Sequence, residues 1–470
     1  MKNRLVIPKQ GCMKVDVTIF GSAHILKMIE QDALDQLTNG ACLPGVVGCV
    51  GMPDIHSGYG LPIGGVMVVD ADEGVVSPGA VGVDINCGVR AVSVPLSYEK
   101  IRPRLESLFD GITQVVGTGV GGKTRSALGR VHGPQFRKLV EQGVPALVEL
   151  GYATARDVEC TEEDGCLAMA DLDNVSKAAV ERGEGQVGTL GSGNHFLEIQ
   201  RVLEVYDAKA AAVMGLDLNQ VCAMIHCGSR GFGEQICRDH LQTMASAMRK
   251  YDIQPPSKNL ACVPIKSPEG KAYLSAMACA ANFAWVNRQV ILHEVRGVFQ
   301  RVLGIGNLEL IYDVAHNIAK FESYGGREVL VHRKGATRAF PAGHPAVPER
   351  YRAIGQPAII PGSMGTASFI VIGTQETLRE TWGSVNHGAG RIMSRSAALG
   401  HPKKGRPGLV TQEQFKESMR GILYRSGSGE NLLDEAPAVY KDSVEVVDAL
   451  ADIGLVRKVV KLMPLAVLKG

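Results

Sequence analysis

An α+β fold, one large domain of mixed β-sheets flanked by helices over residues 1–470, is predicted by three features of the sequence. Short apolar runs rich in Val and Ile are bounded by Gly or Pro, the pattern of strands. A long proline-free stretch near residues 270–303 is rich in Ala, Leu, Val and Met, the pattern of a helix. No linker, internal repeat or low-complexity segment divides the chain, which is long enough to bury a large core.

Strands are expected at residues 63–69, 89–94, 221–225, 308–314 and 368–372. The third and fourth lead into His226 and His316. Side chains at strand ends are held rigidly, and a site that needs sub-ångström placement is best built there. Helices at about residues 234–251 and 270–303 are expected to back the sheet. Within the longer helix, Trp285, Asn287 and His293 read as core or helix-surface residues. The tail from about residue 443 reads as a helix followed by a strand or loop containing Pro464.

Apolar residues make up 45% and charged residues 21%, ordinary globular values, whereas 56 glycines exceed the usual share of about 7%. These glycines fall in tight turns. The formal net charge is only +2, so an anionic substrate must meet a local basic patch and not a global field. Arg125, Arg130 and Lys138 form one such candidate, Arg333, Lys334 and Arg338 a second, and Lys403, Lys404 and Arg406 a third; a solvated face is the plainer reading of each. Eleven cysteines without a Cys-x-x-Cys pair, behind an N-terminus lacking an apolar leader, read as a reduced, cytoplasmic protein. No apolar run approaches the roughly 18–20 residues of a membrane span.

Five segments set metal-binding or phosphate-handling side chains beside glycines: residues 82–88, 193–195, 225–230, 313–317 and 386–391. Asp84 and Cys87 stand three apart in a glycine-bounded turn, so both reach one cation, and a thiolate can also bridge two. With His195, His226 and His316 they form a candidate metal site, and mixed carboxylate, sulfur and imidazole donors suit Zn, Mn, Co or Fe. Asn194 and Asn317 adjoin two of these histidines and suit hydrogen bonding to phosphate oxygens. Turns at residues 117–122 and 361–366 offer clustered backbone N–H groups for phosphate. Residues 117–124 fit a P-loop frame formally, but a P-loop opens a helix. Gly129, Gly133 and Pro134 interrupt the segment immediately C-terminal to it, so no Walker site is expected. His387 lies among small residues with Arg391 close by. Steric room and a cation suit a nucleophile toward phosphorus, with Arg391, Arg230 and Lys334 as charges for the equatorial oxygens; a further metal ligand is the alternative.

Seven motifs now stand together: MPDIHSGYG at 52–60, VDINCGVR at 83–90, GSGNHF at 191–196, HNIA at 316–319, RKGAT at 333–337, PGSMG at 361–365 and HGAGR at 387–391. In sequence and in order, from about residue 40 to Lys469, the chain resembles the RtcB family of tRNA-splicing and RNA-repair ligases. The resemblance implies an RtcB-like fold and a ligase that uses GTP and two Mn²⁺ ions. It would join RNA ending in a 3′-phosphate or 2′,3′-cyclic phosphate to RNA beginning with a 5′-hydroxyl. By motif, Cys87 bridges the metals, Asp84 and His195 hold one, and His226 and His316 hold the other. His387 takes GMP from GTP, passes it to the RNA 3′-phosphate, and the 5′-hydroxyl expels it; Asp54 orients the His387 imidazole. Asn194, Asn317, Ser363 and Ser368 fall to phosphates or ribose, and Glu198, Tyr440 and Lys469 to guanine, where a carboxylate accepts from N1–H and the exocyclic amine together. The resemblance also implies a monomer, with room for an archease-type activator.

Two positions depart from the family pattern: Val83 stands where many members carry an aromatic, and Leu61-Pro62 replaces a more usual Phe-Ala. Two other classes explain part of the pattern. A dinuclear phosphoesterase acting on RNA ends leaves Arg391, the His387 loop and Lys469 without a task. A metal-stabilised RNA-binding module leaves the glycine-rich turns unexplained, and 5% aromatics offers little stacking surface.

Overall fold

Alternating and continuous apolar runs assemble two principal sheets in the computed structural model, which describes residues 3–119, 121–401, 406–426 and 432–470. One sheet has six strands, in the order Arg4–Ile7, Val17–Phe20, Val46–His56, Ile63–Asp70, Arg327–Lys334 and Asn317–Tyr324. The other has eight. Seven run in the order Glu309–Ala315, Gly88–Ser97, Gln220–Cys227, Phe196–Val205, Val456–Lys469, Ser368–Gly373 and Pro357–Ile360, and Leu423–Ser426 pairs beside Val456–Lys469. Most pairings are antiparallel, but Val17–Phe20 runs parallel to Val46–His56 and Leu423–Ser426 parallel to Val456–Lys469, so both sheets are mixed. Each strand expected from the sequence forms, and Pro464 lies inside a strand, at a register irregularity where its missing N–H is tolerated.

The register of the larger sheet brings several chain segments to one end. His226 pairs with Val89 on one side and Phe196 on the other, Ala315 pairs with Gly88, and Lys469 pairs with Phe196. Cys87, His195, His226 and His316 are thereby delivered to the same edge from four separate strands. A one-residue slip in any pairing would turn its ligand to the opposite face.

Beneath that edge runs the helix Pro268–Leu303, 36 residues and about 54 Å long at 1.5 Å per residue. Its start is set by Ser267, whose hydroxyl accepts from the Gly270 amide, with Pro268 in the first turn; Gly304, left-handed at φ +73°, ends it. From Tyr273 to Leu292 nearly every side chain is buried, and that stretch includes Asn282, Asn287, Arg288 and Gln289. Trp285 is core as expected. His293 stacks on Tyr152, with ring centroids 4.2 Å apart.

Two sequence expectations change. Arg333 and Arg338 do not form a basic patch. Both are buried against acids distant in sequence, Arg333 on Glu322 and Arg338 on Glu163, because a guanidinium inside a protein must find a carboxylate. In the first patch, Arg130 and Lys138 pair with Glu184 and Glu149, the solvated reading, whereas Lys403 and Lys404 lie outside the described residues. The cysteines are not all thiols. Cys12 and Cys42 sit on neighbouring turns with Cα atoms 5.0 Å apart and form a disulfide, a proximity that a sequence separation of 30 conceals. The P-loop frame has no helix behind it: Gly117-Thr118 forms a short strand beside Thr189–Gly191, and the next helix begins at Gly133. Among the described residues no helix is long and apolar enough to cross a membrane.

Closing a loop of this length constrains the unfolded chain by about 2–4 kcal/mol. Cys12→Ser is therefore expected to lower the unfolding free energy of the oxidised protein, measured by denaturant titration, by that margin. The reduced parent and the variant should then coincide. A variant as stable as the oxidised parent would show that the disulfide contributes nothing.

Candidate active site

Asp84 and Cys87 lie on the turn that opens strand Gly88–Ser97. The turn is fixed by the Cys87 amide donating to Asp84 O and the Asn86 amide donating to Asn317 O. Cys87 Sγ lies 3.4 Å from His195 Nε2 and 3.3 Å from His226 Nε2, and the Nε2 atoms of His226 and His316 are 3.3 Å apart. Asp84 Oδ2 meets His195 Nε2 at 2.8 Å. Two groups of donor atoms result, each spanning no more than 4.8 Å: Asp84, Cys87 and His195, and Cys87, His226 and His316, with the thiol common to both. These are the sets the sequence motifs implied.

Burial sets the protonation of the cluster. Burial, reinforced by Asp84, pushes the Cys87 thiol up to about 12, and burial together with neighbouring imidazoles holds His226 and His316 well below the usual histidine range. Neutral imidazole is the ligating form, and a buried thiol becomes a thiolate when a metal replaces its proton. Burial disfavours charge on His195, but Cys227, Cys87 and Asp84 outweigh it and raise its pKa. Soft sulfur, imidazole and one carboxylate thus suit a borderline d-block ion.

Two glycines make the approach possible. A Cβ on Gly228 would lie 2.2 Å from Asp84 Oδ1, and one on Gly191 would lie 1.4 Å from Arg230 Nη2. Arg230 adopts a left-handed φ of +55° at the start of helix Arg230–Ala247 and reaches to 3.0 Å from His195 Nδ1. Strain of this kind is retained where surrounding structure enforces it.

The cluster floors a cavity of about 490 Å³ that Asn194, Asn317, Arg230, Lys334 and His387 also line, with Tyr59 and Val83 exposed around it. A second cavity of about 250 Å³ is lined by His56, Gly388, Arg391, Arg395 and Tyr440. His387, Asn194, His226 and Ile63 line both. His387 follows the short strand Ser384–Asn386, and its ring lies 4.8 Å from that of His316. Asp54 Oδ2 accepts from the His387 amide at 3.0 Å and the Gly388 amide at 3.2 Å and meets His387 Nδ1 at 2.6 Å. A carboxylate only accepts, so Nδ1 carries a proton, and in the neutral ring Nε2 holds the lone pair.

The remaining expected residues divide. Tyr440 OH and Lys469 Nζ each donate to Asn194 Oδ1 at 3.1 Å, so the three are brought together. Arg391 donates to Tyr440 OH at 3.2 Å and to Asp434 O. Lys334 is buried, donates to the carbonyls of Tyr59 and Gly79, and is lowered by burial to about 7. Asn317 spends its amide on Asp84 O and the Gly335 amide, so it braces the metal turn. Glu198, Ser363 and Ser368 do not line either cavity; Gln200 donates to both Glu198 and Ser368, and Ser363 pairs with Thr366.

Sequence reasoning missed the supports. Lys441 donates to the carbonyls of Pro53 and Ile55 at 2.8 and 2.7 Å and so fixes the backbone on both sides of Asp54. Glu435 gathers Tyr440, Lys469 and Arg395 at 2.6, 2.9 and 2.5 Å. Asn287, Arg288 and Asp313 tie the ligand-bearing turns to the long helix. Asp313 alone gave a signal, standing three residues before His316.

Fold and site define an α+β protein with a candidate centre for two metal ions and a carboxylate-oriented histidine beside it. Residues 36–470 match the family model described as "tRNA-splicing ligase RtcB". The chain is 47% identical to the tRNA-splicing ligase RtcB of Archaeoglobus fulgidus, across 97% of this chain and 95% of that one. It is 46% identical to the protein of the same name from Pyrobaculum aerophilum, across 98% and 96%. It is also 46% identical to the RNA-splicing ligase RtcB of Mycobacterium tuberculosis, across 93% and 100%. The chain belongs to the RtcB family.

Burial raises Glu198 from an ordinary 4.5 to about 8, against the opposing pull of Gln200 and Lys469. A raised group stabilises the fold fully below its unfolded pKa and loses that contribution as pH rises through the folded value. In metal-free protein, Glu198→Gln should therefore gain on the parent in unfolding free energy between pH 4.5 and 8 and hold a constant margin above. A margin independent of pH, measured by denaturant titration, would contradict the assignment.

Proposed function

We propose that this chain joins RNA ends. It seals a 3′-phosphate or 2′,3′-cyclic phosphate to a 5′-hydroxyl with GTP and Mn²⁺, through a guanylyl group carried on His387. Family membership supports the ligase activity. The observation that carries the mechanism is the position of His387 on the wall shared by two cavities, its Nδ1 engaged by Asp54 and its Nε2 lone pair available.

In this reading the smaller cavity takes the nucleotide and the larger takes the RNA 3′ end. His387 Nε2 attacks the α-phosphorus of GTP, forming an N–P bond as the bond to pyrophosphate breaks, and Asp54 stabilises the imidazolium that results. A cyclic phosphate is first opened by water to a 3′-phosphate. The guanylyl group then passes to an oxygen of that phosphate as the His387 N–P bond breaks, and the 5′-hydroxyl, giving up its proton, attacks the 3′-phosphorus and displaces GMP. Arg391, Arg230 and Lys334 supply positive charge to phosphate oxygens. Asn194, Tyr440 and Lys469 form the nucleotide side with Glu198, Asn317, Ser363 and Ser368 close behind. Two Mn²⁺ ions held by Asp84, Cys87 and His195 and by Cys87, His226 and His316 would supply neutralisation of the attacking and leaving oxygens. The archaeal relatives are named for tRNA splicing, and that process and repair of cleaved RNA both present such ends.

Intact mass after incubation with GTP and Mn²⁺ should show one added GMP on the parent and none on His387→Ala, with metal content nearly unchanged in the variant. An adduct on the variant would remove His387 from the mechanism. Joining should succeed with a 3′-phosphate and 5′-hydroxyl and fail with a 3′-hydroxyl and 5′-phosphate, because a 3′-hydroxyl offers no phosphate to activate. Hydrolysis of cyclic phosphate without any adduct would mark the phosphoesterase instead.

A further inference from the structure

We propose that two consecutive residues of the buried helix divide the metal centre between them, Arg288 positioning the ligands of the Cys87/His226/His316 group and Asn287 those of the Asp84/His195 group. This rests on the two-metal reading of the site and adds to it the residues that hold each half in register.

Arg288 is fully buried. It donates to the carbonyl of Asn86, next to Cys87, at 2.8 Å and to the carbonyl of Cys227, next to His226, at 2.6 Å. Its other donors reach Asn86 Oδ1 at 3.1 Å and both oxygens of Asp313, at 2.9 and 2.7 Å, on the strand that ends at His316. All five N–H groups of the guanidinium therefore have an acceptor. The fit leaves no slack: a Cβ on Gly88 would stand 3.0 Å from Arg288 Nη2. A lysine keeps the charge but cannot span the same carbonyls and carboxylate, since its ammonium is a point donor and not a planar fork.

Asn287 faces the other half. Its Oδ1 accepts from the amides of Gly188 and Thr189 at 2.7 and 3.0 Å, and its Nδ2 donates to Thr189 O at 3.0 Å. The next carbonyl, Leu190 O, lies 3.0 Å from His195 Nδ1 and so sets the orientation of that ring. Asn287 Nδ2 also reaches Cys227 Sγ at 3.1 Å, a sulfur that lies 3.9 Å from His195 Nδ1, and Gly228 O at 3.3 Å; Gly228 abuts Asp84 while the Ser229 amide donates to Asp84 Oδ1 at 3.0 Å. The shared Cys87 keeps two further supports, its own amide on Asp84 O and the Asn86 amide on Asn317 O.

The test is a Co²⁺ titration of the metal-free protein. It is followed by equilibrium dialysis and by the thiolate-to-cobalt charge-transfer absorption, with a thermal melt to confirm folding. The parent should take up two ions. Arg288→Lys and Asn287→Ala should each weaken one ion by about 10–100-fold, the usual cost of losing an outer support, and the other by much less, since the shared Cys87 keeps its own amide on Asp84 O. The double variant should weaken both. If Arg288→Lys does not fold, Arg288→Gln, which leaves the buried Asp313 carboxylate paired with Arg90, carries the same expectation. Equal weakening of both ions in each single variant, or a double variant that retains one ion at parent affinity, would overturn the division. A parent that binds fewer than two ions would overturn the two-metal reading and this inference with it.

Discussion

Every feature of the site depends on bringing one thiol, Cys87, within 3.4 Å of two histidines that lie 108 and 139 residues further along the chain. The larger sheet meets that requirement by register, since four strands begin or end at the same edge. The long helix meets it from below. Arg90, Arg288 and Asp313 are all fully buried and mutually paired, Arg90 at 2.7 Å from the carboxylate that Arg288 also holds. Buried ions are stabilising only when every partner is present, and removing one leaves an uncompensated charge costing about 3–5 kcal/mol. The network is therefore a poor source of net stability and a strong determinant of which backbone carbonyls lie beside the ligands.

The two cavities arise from this arrangement. The metal edge of the larger sheet forms one floor, while Asp54, from the six-stranded sheet, reaches across to His387. Lys441 fixes the carbonyls on either side of Asp54, so the carboxylate meets two amides and one imidazole with no freedom to turn toward solvent. A histidine so held presents a single nitrogen to the space where the cavities meet, and group transfer between two substrates requires that placement.

Much of this was legible in the sequence, for physical reasons. Strand ends announce themselves through apolar runs that stop at Gly or Pro, and ligands beside glycines stand out because few other constraints put Asp, Cys and His there. The long helix was legible from its lack of proline and its apolar content. Its function was not: Asn287 and Arg288 look like interior helix residues, and their partners lie from 25 to 202 positions away. Contacts at such separations leave no spacing signature in one sequence. The same reason hid Glu435 and Lys441, and it turned Arg333 and Arg338 from an expected surface patch into buried partners of Glu322 and Glu163. Asn317, expected at phosphate, lines the larger cavity and also braces Asp84, since the sequence shows an amide but not which backbone groups engage it.

The central claim is that one sulfur serves two metal ions. Crystals of the protein soaked in Mn²⁺, with anomalous diffraction recorded at the manganese edge, test it directly. Two anomalous peaks are expected, both at bonding distance from Cys87 Sγ, one facing Asp84 and His195 and the other facing His226 and His316. A single peak, or two peaks of which only one contacts the sulfur, would contradict it.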